Sequence, residues 1–488
     1  MAVANLESSF GSLDIKHDNK LAMATDPTED VVPQAETDDV EAEDSAVEDG
    51  SKDGTVGLPY GHADFVTMGM FIVDEIEYLP PKPPVRDILG GAGAYAALGA
   101  RLFSPAPQLS RSVGWIVDKG HDFPAAMGEL IESWQTAAIM RYDSSRATTR
   151  GWNGYDEAEH RAFRYMTPKK RITAEDLPPQ LLTARSFHIC SSASRCRELV
   201  TEIKSKRKAA IEALGPDAAQ HPEIIARPYF IWEPVPDLCT PDELLNCTNT
   251  LPLVDVCSPN HSELAAYMGD PHAGLDPETG KLNKAAVERA CEQLLSAMPL
   301  QSYALVVRAA EHGCFVAKNG GRRRLRADQS EAPKKKKPAP KQDLHGGLRH
   351  DIDMEALFAG LVQNEEGSIA RDEVELTSSL EVWIPAVSGE EAAEGSEGVN
   401  PNSGLKVADP TGGGNSFLGG FAVGLARGKT LDEAAAWGNI SASFAIEQVG
   451  VPVLDQDADG NETWNGVRVE DRYAAYETLL KKRGLLQE

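Results

Sequence analysis

The feature that most limits the fold of this chain is the alternation of apolar runs of strand length with helix-like stretches. Two such runs, DFVTMGMFIV (64–73) and QLSRSVGWIVD (108–118), flank the small-residue segment 90–103, which has helical character. Strand, helix and strand in this order are typical of a βαβ unit and therefore predict a mostly parallel sheet. The rhythm continues in six later apolar segments, at 186–190, 227–232, 252–257, 303–308, 313–317 and 381–385.

Two further patterns complete this prediction of an α/β domain. Residues 146–152 (RATTRGW) and 160–166 (HRAFRYM) are separated by a polar stretch and favour a hairpin. The amphipathic stretch 283–298 favours a helix between two of the strands.

Charge and composition narrow the classes of protein to which the chain belongs. Its 488 residues carry a net charge of −27, which argues against a nucleic-acid backbone as the main partner. No run of about 18 apolar residues occurs, so we expect no transmembrane helix and no membrane partner. The first residues lack the apolar core of a secretory signal, and the seven cysteines are scattered without a CxxC pair. These features predict reduced thiols and a cytoplasmic location.

Three segments have too few apolar residues to form a core. Residues 1–60 hold 15 acidic and 3 basic side chains, which predicts a disordered acidic tail ahead of a domain spanning 61–488. Residues 320–347 are basic and residues 388–404 are rich in Gly, Ser and Glu, so both predict flexible insertions. The basic run 334–341 resembles a nuclear-import signal, but an exposed loop explains it equally well. The tail or the basic insertion would be the segment that binds a protein partner, although a solvated tail is the simpler interpretation.

Three consecutive glycines before a predicted helix form the strongest local signal. In DPTGGGNSFLGG (409–420), Gly412, Gly413 and Gly414 lead into a helix that we expect to end at Gly428. Such a turn presents unpaired backbone N–H groups and the positive end of the helix dipole to an anion. Tight packing of a strand against a helix is the alternative, but one glycine usually suffices for it. The run therefore favours an anion site, and it is not a Walker loop because GxxxxGK[ST] is absent.

The heptapeptide DPTGGGN resembles the second signature of the ribokinase (PfkB) family of carbohydrate kinases, usually written D-T-x-G-A-G-D. Over about 64–455, other motifs of that family are matched in the same order by GMFIVD (69–74), GGAGAYAA (90–97), SPNHSE (258–263) and RAAEHG (308–313). The spelling of the glycine run is most similar to the fungal maintenance-of-killer branch of the family. The resemblance implies a ribokinase-like three-layer α/β/α fold, with a mostly parallel central sheet and a small β lid. The spacing of only sixteen positions from Asp74 to Gly90 favours a reduced lid.

The resemblance implies ATP and Mg²⁺ as cofactors and a hydroxylated small molecule as substrate. Asp74 would bind substrate hydroxyls, together with Gly90, Gly91 and Tyr95 of the first signature, in which Asn is usual at the position of Tyr95. Asp74 could instead cap a turn, but the neighbouring motifs favour the functional role.

The metal and nucleotide residues follow in the same way. Asn260 and Glu263 would hold magnesium-bound water and phosphate, although the pair is also typical of a capping box at a helix start. Residues implied to contact the nucleotide are Arg308, Ala310, Gly313 and Asn439, of which Arg308 and Ala310 replace the usual Thr and Gly. Histidines without metal-ligand spacing, interpreted as structural or surface residues, are His188, His261 and His312.

Asn415 is the departure that matters most for chemistry. The family implies an anion hole at Gly412, Gly413 and Gly414. Asp409 is the first residue of this motif, and in the family its last residue is an Asp that takes the proton of the attacking hydroxyl. Asn415 has the shape of that Asp but cannot accept a proton, and losing a general base costs about 10²–10⁴ in rate.

Two functional hypotheses follow from this departure. The first is a slow ATP-dependent kinase that acts on a hydroxyl of a sugar or nucleoside-like substrate. The second is a catalytically inactive pseudokinase that serves as a nucleotide-binding or protein-interaction module, which Tyr95, Ala310 and Asn415 together favour. Under the first hypothesis, we expect Asn415→Asp to raise phosphotransfer because it returns a proton acceptor at unchanged size.

Overall fold

The computed structural model describes residues 63–155, 161–215, 221–298, 302–320, 322–324, 374–376, 379–387 and 405–486. The predicted acidic tail, the basic run 334–341 and the predicted insertion 388–404 lie outside these residues. Of the predicted insertion 320–347, residues 322–324 form a short strand that pairs with residues 374–376. No helix of the described residues is both long and apolar enough to span a membrane.

A nine-stranded sheet forms the centre of the protein. Seven strands that are neighbours in this sheet pair in parallel, whereas the two strands at one edge join antiparallel. This arrangement confirms the predicted mostly parallel sheet. Its strands, in spatial order, are β15 (Leu380–Ile384), β12 (Cys314–Lys318), β11 (Ala304–Arg308), β10 (Val256–Cys257), β9 (Tyr229–Pro234), β8 (Ser186–Ser191), β1 (Phe65–Thr67), β4 (Val113–Lys119) and β5 (Ala137–Tyr142).

Two apolar segments form less of the sheet than the sequence pattern predicts. The run 64–73 is not one strand: β1 ends at Thr67, and the chain then enters a second sheet. The break lies at Gly69, where a Cβ would lie 2.6 Å from the backbone nitrogen of Gly93, so the close approach requires glycine. Of 252–257, only Val256 and Cys257 are strand.

A separate four-stranded sheet forms the lid, in the order β3-β2-β6-β7. Its strands are β2 (Ile72–Glu77), β3 (Val85–Gly90), β6 (Arg150–Tyr155) and β7 (Arg161–Tyr165). The predicted hairpin is confirmed as the antiparallel pair β6–β7. The short spacing between Asp74 and Gly90 accommodates the hairpin β2–β3, so the lid is small but is not reduced to one hairpin.

Helices cover both faces of the large sheet. Alternate residues of β4 show this: Trp115 packs into one apolar cluster with Phe417, whereas Ile116 packs into another with Leu199. Since both faces are apolar and covered, the three-layer α/β/α fold is confirmed. The helices of the described residues are α1 (Ala92–Leu102), α2 (Ala125–Ser133), α3 (Pro179–Leu182), α4 (Ala193–Ala213), α5 (Pro222–Ile225), α6 (Leu244–Thr250), α7 (His261–Tyr267), α8 (Lys284–Ser296), α9 (Gly413–Ala426), α10 (Leu431–Ala445) and α11 (Val469–Lys482). Two short hairpin-like pairs complete the fold: β13 (Arg322–Arg324) with β14 (Val374–Leu376), and β16 (Leu454–Gln456) with β17 (Glu462–Trp464).

The backbones of α1 and α9 touch where they cross. A Cβ at Gly99 would overlap the carbonyl oxygen of Ser416, and a Cβ at Gly419 would overlap that of Ala96. The glycines in α9 therefore serve helix packing as well as the turn before it. This crossing places the start of α9 beside α1.

We expect Gly419→Ala to lower the free energy of unfolding by about 1–3 kcal/mol, because the new methyl group meets backbone that cannot move aside. Denaturant unfolding measures this change. The matched control is Gly128→Ala in α2, where a Cβ meets nothing closer than the Phe123 ring at 3.5 Å. That helical substitution should stabilise by about 0.5–1 kcal/mol. Equal effects of the two substitutions would contradict the close crossing.

Candidate functional site

The glycine run forms the start of α9, but only one of its glycines forms the turn. Gly412 is the N-cap residue and has a left-handed backbone with φ of 78°, whereas Gly413 and Gly414 are already helical. The N–H of Gly413 donates to Pro410 O at 3.2 Å. The N–H groups of Gly414 and Asn415 belong to the first helical turn, where no intrahelical carbonyl receives them. The N–H groups without an intrahelical acceptor are thus shifted along the chain, from the predicted Gly412–Gly414 toward Asn415.

Asp409 stabilises the approach to this turn. Its carboxylate accepts a hydrogen bond from the N–H of Thr411 at 2.9 Å, and its own N–H donates to Ile446 O at 3.2 Å. The side chain is 5% exposed. In the structure, Asp409 therefore orders the segment before the glycines.

Tyr95 brings the first signature against the second. A Cβ at Gly412 would overlap the ring of Tyr95, which is buried in α1. Ser416 Oγ donates to Tyr95 O at 3.1 Å. The aromatic ring thus covers one side of the glycine turn, at the position where the family usually has Asn.

Arg308 lies at the centre of the site, and this sets it apart from the nucleotide residues with which the sequence grouped it. Its Nη1 donates to Glu233 Oε1 at 2.6 Å, and its Nη2 donates to Ser258 O at 3.0 Å. Glu263 Oε2 is 3.5 Å from the same Nη2. A Cβ at Gly414 would overlap Nη1, so the guanidinium contacts the first turn of α9. The two carboxylates outweigh the effect of burial and raise the pKa of Arg308.

Glu233 is the important site residue that sequence analysis missed. It lies near the carboxyl end of β9 and accepts hydrogen bonds from His188 Nε2 at 3.1 Å and Asn415 Nδ2 at 2.6 Å. Burial opposes its ionisation, but Arg308, His188 and Asn415 hold the pKa of Glu233 at about 2. His188 is fully buried, with Nδ1 3.0 Å from Thr67 Oγ1. The available signal was position: polar residues at the carboxyl ends of parallel strands converge on one edge of the sheet.

The hydrogen bond to Glu233 fixes the orientation of Asn415. An ionised carboxylate only accepts hydrogen bonds, so the amide nitrogen of Asn415 faces Glu233. The carboxamide oxygen is then the end of the side chain that remains for a substrate hydroxyl. This contact also revises the expectation for Asn415→Asp, because the new carboxylate would face the carboxylate of Glu233.

Asn260 and Glu263 form a capping box at the start of α7, as one of the two sequence interpretations predicts. The N–H of Asn260 donates to Glu263 Oε2 at 2.7 Å, and Asn260 Nδ2 donates to Glu263 Oε1 at 2.8 Å. Burial raises the pKa of Glu263, although Arg308 opposes this. No group of three or more His, Cys, Asp or Glu side chains in the described residues is arranged to hold a metal ion.

Two of the predicted substrate residues, Asp74 and Gly90, come together within the lid sheet. A Cβ at Gly90 would overlap the Asp74 carboxylate, and a Cβ at Gly151 would lie 2.6 Å from Asp74 Oδ1. Gly91, with φ of 88°, turns the chain into α1. Asp74 lies in strand β2 of the lid and is 5% exposed. These glycines leave room for the carboxylate.

Tyr165 of the lid strand β7 belongs to the same region. Burial, Cys190 and Asp74 raise the pKa of Tyr165 to about 12, so the three side chains are electrostatic neighbours. Cys190 lies in β8, and burial and the charge of Glu233 raise its pKa well above the usual thiol range. Cys190 is thus an electrostatic neighbour of both Tyr165 and Glu233.

Two of the other nucleotide candidates, Gly313 and Asn439, meet at residues 384–386. Gly313 has φ of 80°, and a Cβ there would overlap Ile384 O. Asn439 Nδ2 donates to Ile384 O at 3.3 Å, to Pro385 O at 3.1 Å and to Tyr476 Oη at 3.0 Å. Ala310 has φ of 49°, a conformation that favours the glycine usual in the family. The structure thus brings Gly313 and Asn439 to one segment, which Asn439 ties to α11 through Tyr476.

Comparisons with known proteins identify the family that this chain resembles. The sequence model of a protein family described as pfkB family carbohydrate kinase matches residues 389–456, which contain the glycine run. Over 423 residues the chain is 30% identical to protein MAK32 of Saccharomyces cerevisiae, covering 84% of this chain and 91% of that protein. A segment of 50 residues, 10% of this chain and 14% of the relative, is 50% identical to inositol 3-kinase of Arabidopsis thaliana. The solved structure of ribokinase from Giardia lamblia is similar with a TM-score of 0.48 and 14% identity, covering 80% of this chain and 95% of that chain.

The left-handed backbone at Ala310 generates a test of the local strain. We expect Ala310→Gly to raise the free energy of unfolding by about 1 kcal/mol, because glycine adopts positive φ without steric cost. The matched control is Ala209→Gly, at an exposed position inside α4, which should lower the same free energy by about 1 kcal/mol. Thermal or denaturant unfolding distinguishes the two, and destabilisation by both substitutions would contradict the strain.

Proposed function

The chain belongs to the pfkB family of carbohydrate kinases, and from this premise we propose that it transfers a phosphoryl group from ATP to a hydroxyl of a sugar or nucleoside-like polyol. The observation that carries the proposal is the contact of the Arg308 guanidinium with the first turn of α9. A helix N-terminus and a buried cation at one point form a preorganised site for a phosphoryl group. Arg308 adds a charge that the glycine turn alone does not supply.

ATP fits this arrangement through its phosphates. The N–H groups of Gly414 and Asn415 would donate to γ-phosphate oxygens, and Arg308 would neutralise part of their charge. Gly313 and Asn439 contact residues 384–386, where the nucleoside part would bind. Asp74, in lid strand β2, would accept hydrogen bonds from hydroxyls of the acceptor and orient one of them toward the phosphate.

Magnesium fits only as an ion that keeps its waters. Both oxygens of Glu263 already accept hydrogen bonds from Asn260, and Arg308 lies nearby. Since a carboxylate accepts about four hydrogen bonds, Glu263 retains capacity for one metal-bound water. When bound, Mg²⁺ would neutralise charge on the β- and γ-phosphate oxygens.

Asn415 makes this transfer slow. The acceptor oxygen forms a bond to the γ-phosphorus while the bond from that phosphorus to the bridging oxygen of ADP breaks. The carboxamide of Asn415 accepts a hydrogen bond from the attacking hydroxyl but cannot take its proton, which passes to an oxygen of the transferred phosphoryl group. A loose transition state tolerates this because the hydroxyl loses its proton late.

A pseudokinase is the second proposal, and two observations favour it. The ring of Tyr95 covers Gly412, and the guanidinium of Arg308 is already held by Glu233 and by Glu263. Both features narrow the space over the glycine turn. Under this proposal the site binds nucleotide for a regulatory purpose and transfers no phosphate.

Titration of Mg·ATP by calorimetry tests the shared part of both proposals. We expect a Kd between about 1 μM and 1 mM, the usual range for enzyme substrates. Gly412→Ala should weaken binding by about tenfold, because the left-handed turn is strained and the new methyl group meets Tyr95. The matched control is Gly428→Ala after the other end of α9, where φ is 81° and a Cβ meets nothing within 4 Å.

Two results would contradict the nucleotide site. One is the absence of magnesium-dependent ATP binding, and the other is an equal effect of the two alanine substitutions. A phosphotransfer screen over sugars, nucleosides and inositol then separates the two functions. A phosphorylated product supports the kinase, whereas ATP binding without transfer to any acceptor supports the pseudokinase.

A further inference from the structure

The contact between Asn415 and Glu233 joins two elements that are distant in sequence. Asn415 lies in the first turn of α9, and Glu233 lies in β9; Nδ2 and Oε2 are 2.6 Å apart. Glu233 also accepts from His188 and Arg308. Its side chain is 8% exposed, so its charge is held by these protein groups rather than by water.

We propose that Glu233 is a positioning residue for Asn415, and that the pair explains why this chain carries an amide at position 415. The inference rests on the proposed phosphotransfer function. Because ionised Glu233 only accepts hydrogen bonds, it binds the amide nitrogen and leaves the carboxamide oxygen for the acceptor hydroxyl. Glu233 thereby orients the group that receives the attacking hydroxyl without touching the substrate itself.

The pair predicts that a carboxylate at position 415 is incompatible with Glu233. Asn415→Asp places an oxygen where Nδ2 now lies, 2.6 Å from Glu233 Oε2. Two carboxylates at that separation cannot both ionise, so they share one proton. The introduced Asp then sits as the protonated partner of Glu233 and is not available as a base.

A second substitution removes the conflict without changing the net charge. In the double variant Asn415→Asp/Glu233→Gln, the new carboxamide keeps its oxygen on Arg308 and donates its nitrogen to the new carboxylate. His188 accommodates the change, because its Nε2 becomes an acceptor when Nδ1 carries the proton and donates to Thr67 Oγ1. The carboxylate at position 415 is then ionised and able to accept the hydroxyl proton.

A cycle of four full-length proteins tests the proposal: wild type, Asn415→Asp, Glu233→Gln and the double variant. Each is assayed for Mg·ATP affinity, for melting temperature, and for ADP release from Mg·ATP with pooled sugars, nucleosides and inositol as acceptors. We expect the double variant to raise kcat about 10²-fold over wild type, with KM nearly unchanged. Asn415→Asp alone should give less than a tenth of that gain and a melting temperature lower by about 2–4 °C.

The matched control is Asn415→Asp/Glu447→Gln. Glu447 pairs with the buried Arg472 at 2.6 Å, so its substitution removes a comparable ion pair outside the site. The control should rescue neither kcat nor melting temperature. If Glu233→Gln alone does not fold, the comparison of Asn415→Asp with the two double variants still decides the question.

Failure of the inference differs from failure of the proposed function. If the proteins bind Mg·ATP and Asn415→Asp alone gives the full gain in kcat, Glu233 does not position residue 415. Equal rescue by Glu447→Gln would overturn the pair in the same way. If no protein binds Mg·ATP, the proposed function fails. In that case, the melting temperatures of the two double variants still test the pair. The pair is supported if adding Glu233→Gln to Asn415→Asp restores the melting temperature and adding Glu447→Gln does not. It is overturned if adding Glu233→Gln does not restore the melting temperature.

Discussion

The site depends on the ion pairs of the largely buried Arg308 guanidinium. This guanidinium joins Glu233 of β9, the Ser258 carbonyl and Glu263 of α7, and it contacts the first turn of α9 at Gly414. Removing one partner of a buried ion pair typically costs about 3–5 kcal/mol, because the other charge is left unpaired. The ends of several strands and the glycine turn are therefore held in one arrangement by electrostatics as well as by packing.

This arrangement has two opposite consequences for chemistry. Arg308 places positive charge beside a helix N-terminus, which favours a phosphoryl group. The same guanidinium is held by Glu233, and Glu233 also binds the amide nitrogen of Asn415. The features that favour phosphate binding thus also disfavour an ionised carboxylate as the side chain at position 415. The kinase and pseudokinase hypotheses differ in two respects. One is whether the remaining hydrogen bond to the acceptor hydroxyl suffices for transfer, and the other is whether Tyr95 and Arg308 leave enough space over the glycine turn.

Local sequence patterns predicted most of the strands and helices, because these depend on interactions between residues that are close together in the chain. The later apolar segments predict strands such as β8 and β9, and Gly428 ends α9 as its position suggests. Predictions were wrong where a distant contact decides. Residues 64–73 form two strands because Gly69 must approach Gly93 of α1, and no pattern within the run contains that information.

The candidate site shows the same limit. Motifs predicted the glycine turn, Tyr95 and the candidate substrate residues, and the structure brings Gly412 to Tyr95 and Asp74 to Gly90. Glu233 could not be predicted in this way, since its importance lies in contacts with residues 45, 75 and 182 positions away. Those contacts exist only once parallel strands place their carboxyl ends side by side. Sequence alone therefore indicated a missing base at Asn415 but did not reveal the carboxylate that faces it.

A crystal structure with magnesium and a non-hydrolysable ATP analogue tests the central claim most directly. Our account predicts that the γ-phosphate accepts hydrogen bonds from the N–H groups of Gly414 and Asn415 and from Arg308, with Asn415 Nδ2 still donating to Glu233. An analogue bound away from the glycine turn, or a phosphate seated there with Arg308 turned away from it, would contradict the account.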